Sequence, residues 1–204
     1  MAELTITTFV SLDGVMQAPG VPTEDTSGNF LYGGWVFPLA DADMGTIITG
    51  IFGKADAFLL GRGTYDIFAA YWPRITDPNN LIAVKLNSLP KYVASRTRSA
   101  FTWNNTLHVR DVEKEVIELK KRYSREVQVH GSAGLAQTLI AKDLVDEYRI
   151  LTFPVVLGTG KRLFGNGAVP RSLKLVRSST TSTGVVFSVY RPAGALKTGS
   201  FALE

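Results

Sequence analysis

Three short segments of the sequence combine glycine, hydroxyl and guanidinium groups in a way that suits phosphate binding. The segments are Gly61-Arg62-Gly63-Thr64, Ser95-Arg96-Thr97-Arg98 and His130-Gly131-Ser132-Ala133-Gly134. Glycine lets a phosphate approach the backbone closely, free N–H groups at a helix start attract an anion, and guanidinium groups pair with it. Each segment taken alone is also consistent with an ordinary turn, so their placement in the fold decides between the two interpretations.

Each of these segments follows a short apolar or β-branched run that predicts a strand. The runs cover residues 57–60, 91–94 and 127–130. Residues 61–64 and 131–134 then open predicted helices, and Ser132 is the predicted cap of the second one. Because the carboxyl ends of strands in an open α/β sheet meet at one edge, the three segments are predicted to converge on one anion-binding site.

Other kinds of active site lack the residues that they need. The chain has no cysteine, which excludes disulfides, thiolate nucleophiles and iron–sulfur clusters. Its two histidines, His108 and His130, lie on separate predicted strands without metal-type spacing, so no metal site is predicted. There is no Gly-x-Ser-x-Gly elbow, and residues 158–161 (Gly-Thr-Gly-Lys) lack the spacing of a phosphate-binding P-loop.

The charge distribution favours a phosphorylated small molecule over nucleic acid as the partner. The net charge is only +4, and the basic residues are scattered apart from one run at 120–122, where a predicted helix ends. No apolar stretch approaches the roughly 20 residues that cross a bilayer. The N-terminal residues do not have the pattern of a signal peptide. We therefore expect a cytoplasmic protein without a membrane partner.

Hydrophobic patterning predicts alternating strands and helices over the first two thirds of the chain. Residues 4–10 predict a first strand, and residues 17–34 predict a long loop that is rich in glycine, proline and polar residues. Apolar residues at helical spacing predict a helix over 44–52, and three further helices begin near Gly61, Asp111 and Ser132. This alternation is typical of a mainly parallel sheet with helices on both faces.

The C-terminal third has a different pattern. A long apolar strand is predicted over 148–157, and residues 173–177 and 185–190 alternate like the two strands of an antiparallel hairpin. The sequence therefore predicts a single α/β domain over residues 1–192, with a mixed sheet and an antiparallel C-terminal hairpin. Residues 193–204 are predicted to be a peripheral tail.

Taken in order, these segments resemble the dihydrofolate-reductase-like superfamily. More narrowly, the chain is similar to stand-alone proteins related to the reductase domain of the bifunctional riboflavin-pathway deaminase–reductase. The resemblance covers most of the chain and implies a three-layer fold. The matching segments are Ser11–Gly14 (SLDG), Leu60–Tyr65 (LGRGTY), Val93–Arg96 (VASR), His130–Ala133 (HGSA), Asp146–Tyr148 (DEY) and Val156–Phe164 (VLGTGKRLF).

The resemblance implies that the cofactor is NADPH. It assigns one group of residues to the cofactor phosphate at a helix start, a second to the adenosine 2′-phosphate, and a third to the pyrophosphate. In that order the groups are Gly61, Arg62 and Thr64; Ser95 and Arg96; and Gly131, Ser132, Ala133 and Gly134. A grip on the 2′-phosphate implies a preference for NADPH over NADH.

The resemblance also places residues 13–41 on the substrate side. Asp13 and Gly14 lie in the turn near the expected nicotinamide position, and residues 35–41 are similar to the dihydrofolate reductase segment that ends in the substrate-binding acid. Asp13 and Asp41 are therefore candidates for polar contact or proton supply, although Asp41 fits a helix cap equally well. Trp35, Phe37 and Tyr65 are candidates to wall an aromatic substrate, and core packing is the favoured interpretation of Tyr65.

We expect an NADPH-dependent reductase of a small heterocyclic or pyrimidine-type substrate, similar to 5-amino-6-(5-phosphoribosylamino)uracil reductase. Val15 departs from the resemblance, because a basic residue commonly follows Asp-Gly in the riboflavin reductases. Two alternatives therefore stay open, a dihydrofolate or pteridine reductase and a nucleotide-binding protein without catalysis. The resemblance and the apolar C-terminal strands further imply a homodimer.

Overall fold

One eight-stranded sheet forms the centre of the computed structural model, which describes residues 1–165 and 168–202. The strands are β1 (Glu3–Ser11), β2 (Ala55–Gly61), β3 (Lys91–Ala94), β4 (Thr106–Val109), β5 (Glu126–Val129), β6 (Glu147–Phe153), β7 (Arg171–Thr180) and β8 (Val186–Ala195). The helices are α1 (Ala42–Gly53), α2 (Arg62–Tyr71), α3 (Leu81–Ser88), α4 (Val112–Arg122) and α5 (Ala133–Ala141).

The strand order is β4-β3-β2-β5-β1-β6-β8-β7. The strands from β4 to β6 in this order are all parallel, whereas β8 pairs antiparallel with both β6 and β7. This confirms the predicted mixed, mainly parallel sheet with an antiparallel C-terminal hairpin. It also places the carboxyl ends of β2, β3 and β5 at the same edge of the sheet.

Helices cover both faces of the sheet, as the alternation predicted. Successive residues of β2 point to opposite faces, so Leu59 packs with α4 and α5 while Phe58 packs with the other helices. The first face buries Val116 and Leu119 of α4 and Leu135 and Leu139 of α5. The second face buries Phe52 of α1, Tyr65 of α2 and Leu86 of α3.

Several boundaries differ from the prediction for physical reasons. The short helix α3 was not predicted, because only Ala83 and Leu86 of its eight residues are buried and they give little periodicity. The predicted extension of β6 to residue 157 was wrong. The strand ends at Phe153, and the following Pro154 has no N–H to continue the ladder. The predicted tail, residues 193–204, begins inside β8, because this strand continues to Ala195. Residues 203 and 204 of the tail lie outside the described residues.

The predicted loop over residues 17–34 contains only one short 3-10 turn, Ser27–Asn29. Gln17 is buried and holds the loop from inside, because its amide nitrogen donates to the carbonyls of Asp25 (3.0 Å) and Ser27 (2.9 Å). Its amide oxygen accepts from the backbone N–H of Lys161 at 2.9 Å, and the Lys161 ammonium lies 2.5 Å from the Asp25 carboxylate. The loop is therefore fastened to the segment that follows β6.

The helices are short. The longest has 12 residues, over Ala42–Gly53, whereas about 20 residues are needed to cross a bilayer. Within residues 1–165 and 168–202, no helix is both long enough and apolar enough to span a membrane.

Candidate functional site

Two of the three predicted phosphate-binding segments are in direct contact. They lie where β2 leads into α2 and where β5 leads into α5. The backbone N–H of Gly61 donates to the carbonyl of Gly131 at 3.1 Å. The N–H of Thr64 donates to the Ser132 hydroxyl at 3.1 Å, and the Thr64 and Ser132 hydroxyls are 3.0 Å apart. The structure therefore brings the starts of α2 and α5 together at one edge of the sheet.

The glycines at this junction serve different purposes. A Cβ at Gly61 would lie 2.6 Å from Ser132 Oγ, and a Cβ at Gly131 would lie 2.6 Å from Thr64 Oγ1. Gly131 also has a φ of +131°, which other residues rarely adopt, and the Gly131–Ser132 peptide bond is cis. Tight packing of the two elements therefore requires both glycines. Gly134 differs, because a Cβ there would meet no atom within 4 Å.

The helix starts at this junction leave backbone donors free. The first N–H groups of an α-helix have no partner inside the helix, and a side-chain cap usually satisfies one of them. Ser132 was predicted to cap α5, but its hydroxyl makes no bond to α5 and contacts Thr64 of α2. Within the part of the chain that the structure describes, the N–H groups of Gly63, Ala133 and Gly134 have no acceptor. Such donors suit an anion.

The third predicted segment forms an ordered loop after β3. The backbone N–H of Ser95 donates to the carbonyl of Val109 at 3.1 Å. The Ser95 carbonyl oxygen lies 2.8 Å from the His108 ring nitrogen Nε2. The Ser95 hydroxyl accepts from the N–H of Arg98 at 2.9 Å, so it shapes the loop. Arg96 is exposed and forms no ion pair or hydrogen bond with the other described residues.

Asp66 and Arg98 connect this loop to α2, and the sequence prediction did not include them as a pair. One Asp66 oxygen lies 2.5 Å from an Arg98 guanidinium nitrogen, and the other lies 3.4 Å from a guanidinium nitrogen of Arg62. The ion pair between Arg62 and Asp66 could have been predicted from the sequence, because the two residues are four positions apart on one helix. The contact with Arg98 depends on the fold. Three guanidinium groups, those of Arg62, Arg96 and Arg98, thus belong to one edge of the sheet.

Asp13 is held as a carboxylate in the turn after β1. It accepts a hydrogen bond from the Ser11 hydroxyl (2.7 Å) and from the N–H groups of Leu157 (3.0 Å) and Gly158 (2.9 Å), and it lies 3.5 Å from Arg162. The hydrogen bond from Ser11, followed by the one from Leu157, lowers the pKa of Asp13 to about 2. The side chain therefore ties two loops together and is a poor proton donor at neutral pH.

Asp41 is the N-cap of α1, as one of its two interpretations predicted. It accepts from the N–H of Met44 at 2.8 Å, from the Ser182 hydroxyl at 2.9 Å, and from the N–H and hydroxyl of Thr183 at 3.0 and 2.9 Å. These bonds, the one from Met44 first, hold the pKa of Asp41 well below its usual range. The structure confirms the cap, and this geometry does not support proton supply by Asp41.

The predicted aromatic wall residues have different surroundings. Trp35 is 8% exposed, donates its indole N–H to the Gln17 carbonyl at 2.8 Å, and packs edge-on against Phe153. Tyr65, for which core packing was the favoured interpretation, is also buried. Phe37 is 80% exposed. Of these three side chains, only that of Phe37 is open to a ligand without rearrangement.

Gly14 and Val15 complete the turn after β1 that was predicted to face the substrate. Gly14 has a φ of +83°, and a Cβ at this position would meet nothing within 4 Å. Val15 is fully buried, and its side chain approaches Gly160 so closely that a Cβ there would lie 2.7 Å from it. The residue that replaces the expected basic side chain is therefore part of the core.

An open surface groove with a volume of about 780 Å³ lies apart from this site. It is lined by the end of α2, the loop after it, α3 and the segment before β4, and its lining includes none of the predicted site residues. Its lining includes Ala69, Ile75, Pro78, Asn87 and Trp103.

The mixed sheet with helices on both faces and the paired helix starts define an α/β protein with a candidate anion-binding edge. A family model described as the RibD C-terminal domain matches residues 2–187. The chain therefore belongs to the RibD C-terminal domain family. It is 37% identical over 155 residues to the uncharacterized protein YyaP of Bacillus subtilis (strain 168), a match that covers 74% of this chain and 81% of YyaP.

Solved structures share the fold at low sequence identity. A protein provisionally assigned to riboflavin biosynthesis from Shewanella sp. PV-4 has a TM-score of 0.70 at 22% identity, covering 95% of this chain and 99% of that one. A pyrimidine reductase-like protein from Corynebacterium diphtheriae has a TM-score of 0.64 at 14% identity, covering 94% and 92%. The deaminase/5-amino-6-(5-phosphoribosylamino)uracil reductase of Thermotoga maritima has a TM-score of 0.62 at 16% identity. That match covers 94% of this chain but only 57% of the bifunctional one.

Proposed function

We propose that this protein is an NADPH-dependent reductase of a small heterocyclic or pyrimidine-type substrate. The observation that carries the proposal is the junction of α2 and α5, where Thr64 and Ser132 are in contact and neighbouring N–H groups have no acceptor among the described residues. Membership of the RibD C-terminal domain family supports reductase chemistry. The three guanidinium groups near the same edge add the positive charge that a phosphorylated dinucleotide needs.

The residues at this edge fit a dinucleotide with an additional phosphate. The donors are backbone N–H groups and guanidinium groups, and the carboxylate among them, Asp66, is already paired with two arginines. Open space at Gly134 leaves room for a phosphate against the backbone. In this assignment residues 131–134 hold the pyrophosphate, residues 61–64 a neighbouring phosphate, and Ser95 and Arg96 the 2′-phosphate. The bound cofactor supplies a hydride, and the protein supplies binding and orientation.

The substrate side has a different role in this proposal. Asp13 and Asp41 are both anions at neutral pH because several donors hold each of them. Asp13 therefore orders the turn after β1 and offers an acceptor to the substrate, and solvent supplies the proton that accompanies reduction. With Val15 buried, the turn has no basic side chain at that position to hold a substrate phosphate.

The surroundings of the predicted substrate-side residues favour a second function. Both candidate acids are used in structural hydrogen bonds, and Trp35 is buried in the core. A protein that binds the nucleotide without reducing a substrate would retain the α2–α5 junction and would not need a free acid.

Turnover distinguishes the two functions. Oxidation of NADPH is followed by its absorbance in the presence of dihydrofolate, of the riboflavin-pathway pyrimidine, and of that pyrimidine without its phosphate. Acceptor-dependent oxidation is expected for at least one of the two pyrimidines. Oxidation with dihydrofolate alone would instead identify a pteridine reductase. Binding of NADPH without oxidation in any of these assays would support the non-catalytic function.

A further inference from the structure

Arg98 is the most firmly held guanidinium group at the predicted cofactor edge. Its Nη2 lies 2.5 Å from Asp66 Oδ1, and its guanidinium carbon lies 4.8 Å from the ring centre of Phe101 and 5.4 Å from that of Tyr65. Its backbone N–H is bonded to Ser95 Oγ at 2.9 Å. The side chain is thus fixed by an ion pair and two aromatic rings, while 38% of it remains exposed to solvent.

Arg96 has the opposite character, although it belongs to the matched segment Ser95-Arg96. It is exposed and has no ion-pair partner among the described residues. A planar guanidinium group binds phosphate through two parallel hydrogen bonds, so its orientation matters. A group that is already oriented loses less side-chain freedom when the phosphate arrives. Arg98 is therefore better prepared than Arg96 to recognise a phosphate.

We propose that Arg98 is a specificity-determining residue for the 2′-phosphate of the cofactor and that Asp66 is its positioning residue. The proposal rests on the proposed function, because it places the 2′-phosphate beside the loop after β3. Arg96 then contributes a less ordered charge. Asp66 orients Arg98 and Arg62 together, since one of its oxygens faces each guanidinium group.

The role given to Asp66 determines the sign of a mutational effect. If Asp66 orients Arg98, its replacement by asparagine weakens NADPH binding, because the guanidinium group loses its ion pair. If Asp66 acts only as a nearby negative charge, the same change strengthens NADPH binding, because repulsion of the phosphate is removed. NADH lacks the 2′-phosphate, so its affinity reports general damage to the site.

The experiment measures dissociation constants of NADPH and NADH by quenching of tryptophan fluorescence. It compares wild type with Arg98→Met, Asp66→Asn and Asp66→Glu. Arg74→Met is the matched control, because it removes an exposed arginine after the far end of α2. Arg98→Met should weaken NADPH about 10- to 100-fold, as expected for a lost charged hydrogen bond, and change NADH less than about 3-fold. Asp66→Asn should weaken NADPH selectively, Asp66→Glu should restore most of the affinity, and Arg74→Met should have no effect.

Two results would overturn the inference while leaving the proposed function intact. In the first, the wild type prefers NADPH but Arg98→Met weakens both nucleotides equally or neither. In the second, Asp66→Asn binds NADPH more tightly than the wild type does. A wild-type protein that binds neither nucleotide would instead overturn the proposed function, and the inference with it. Circular dichroism of each variant establishes that a loss of binding does not reflect unfolding.

Discussion

Gly134 lies in the first turn of α5, where glycine is an unfavourable helix residue and where no neighbouring atom requires it. Gly134→Ala should therefore stabilise the free protein by about 0.5–1 kcal/mol. The added methyl group would occupy the space through which a phosphate approaches the backbone, so NADPH affinity should fall. Urea unfolding and fluorescence titration measure the two effects.

Gly50→Ala is the control for this change, because Gly50 is also an exposed helical glycine at which an added Cβ would meet nothing within 4 Å. It should raise the free energy of unfolding without changing NADPH affinity. If Gly134→Ala behaved in the same way as Gly50→Ala, the pyrophosphate would not lie against α5.

His130, the last residue before the Gly131 turn, gives the protein a predicted pH dependence. Its ring stacks on Phe52 with centroids 4.4 Å apart, and burial, followed by the charge of Arg149, lowers its pKa to about 3. Between pH 6.5 and 3 the unfolded chain binds a proton that the folded chain does not. Stability should therefore fall with decreasing pH, by up to about 1.4 kcal/mol per pH unit.

His130→Gln should flatten this dependence, because glutamine does not titrate. Free energies of unfolding from urea titrations at pH 6.5, 5.5 and 4.5 provide the comparison. Parallel pH profiles for the variant and the wild type would mean that His130 takes up its proton over the same pH range in the folded and the unfolded chain.

At the residue scale the sequence predicted which segments meet but not how their side chains are used. Ser132 was expected to cap its own helix, yet it bonds to Thr64, 68 residues away in the chain. Asp66 and Arg98 are 32 residues apart and meet only because the loop after β3 folds over α2. Local spacing carries no information about such contacts, whereas residue type did indicate phosphate chemistry.

At the scale of elements, the close approach of α2 and α5 depends on glycine. Gly61→Ala would place a Cβ 2.6 Å from Ser132 Oγ and 2.8 Å from Ser132 N. A side-chain rotation could move Oγ away, but the backbone nitrogen can move only if the backbone shifts. We expect a loss of about 1–3 kcal/mol in the free energy of unfolding, as for overpacking in other cores. NADPH affinity should fall as well, because the two helix starts would be pushed apart.

Chemical denaturation and nucleotide titration of Gly61→Ala test whether the junction is packed this tightly. Gly53→Ala serves for comparison, because a Cβ there would make an ordinary contact of 3.6 Å with Leu81. Equal stabilities for the two variants would show that the contact between α2 and α5 is looser than described.

The elements that periodicity predicted well are those with one strongly buried face. Helix α4 buries Val116 and Leu119 and carries acidic residues at its start and basic residues at its end, so both ends were evident from the sequence. Helix α3 has only two buried residues, so its periodicity is weak. Strands β7 and β8 extend past the core into stretches of exposed residues, where buried and exposed positions no longer alternate. Pairing between neighbouring strands, which local sequence does not specify, determines where those strands end.

At the scale of the whole molecule, β7 is an edge strand whose residues are largely exposed. It pairs only with β8 among the described strands, and Leu175 and Val176 are 49% and 51% exposed. A register shift between Leu175 and Arg177 works against simple edge-to-edge pairing. We therefore expect the predicted homodimer to form through the face of the β7–β8 hairpin.

Light scattering after size-exclusion chromatography should give the mass of a dimer for the wild type. Val176→Asp should shift it toward the monomer, because a charge would be buried in an apolar contact. Val21→Asp is the matched control, since Val21 is also 51% exposed but lies in the loop over residues 17–34. A monomeric wild type would contradict the prediction.

The edge formed by α2, α5 and the loop after β3 is where we expect NADPH to bind. Calorimetric titration of the wild-type protein with NADPH and with NADH tests this most directly, because it requires no substrate and no assumption about catalysis. We predict saturable binding of NADPH that is at least about tenfold tighter than that of NADH, as one additional charged hydrogen-bonded pair would give. Absence of saturable binding for both nucleotides, or equal affinity for the two, would contradict this assignment.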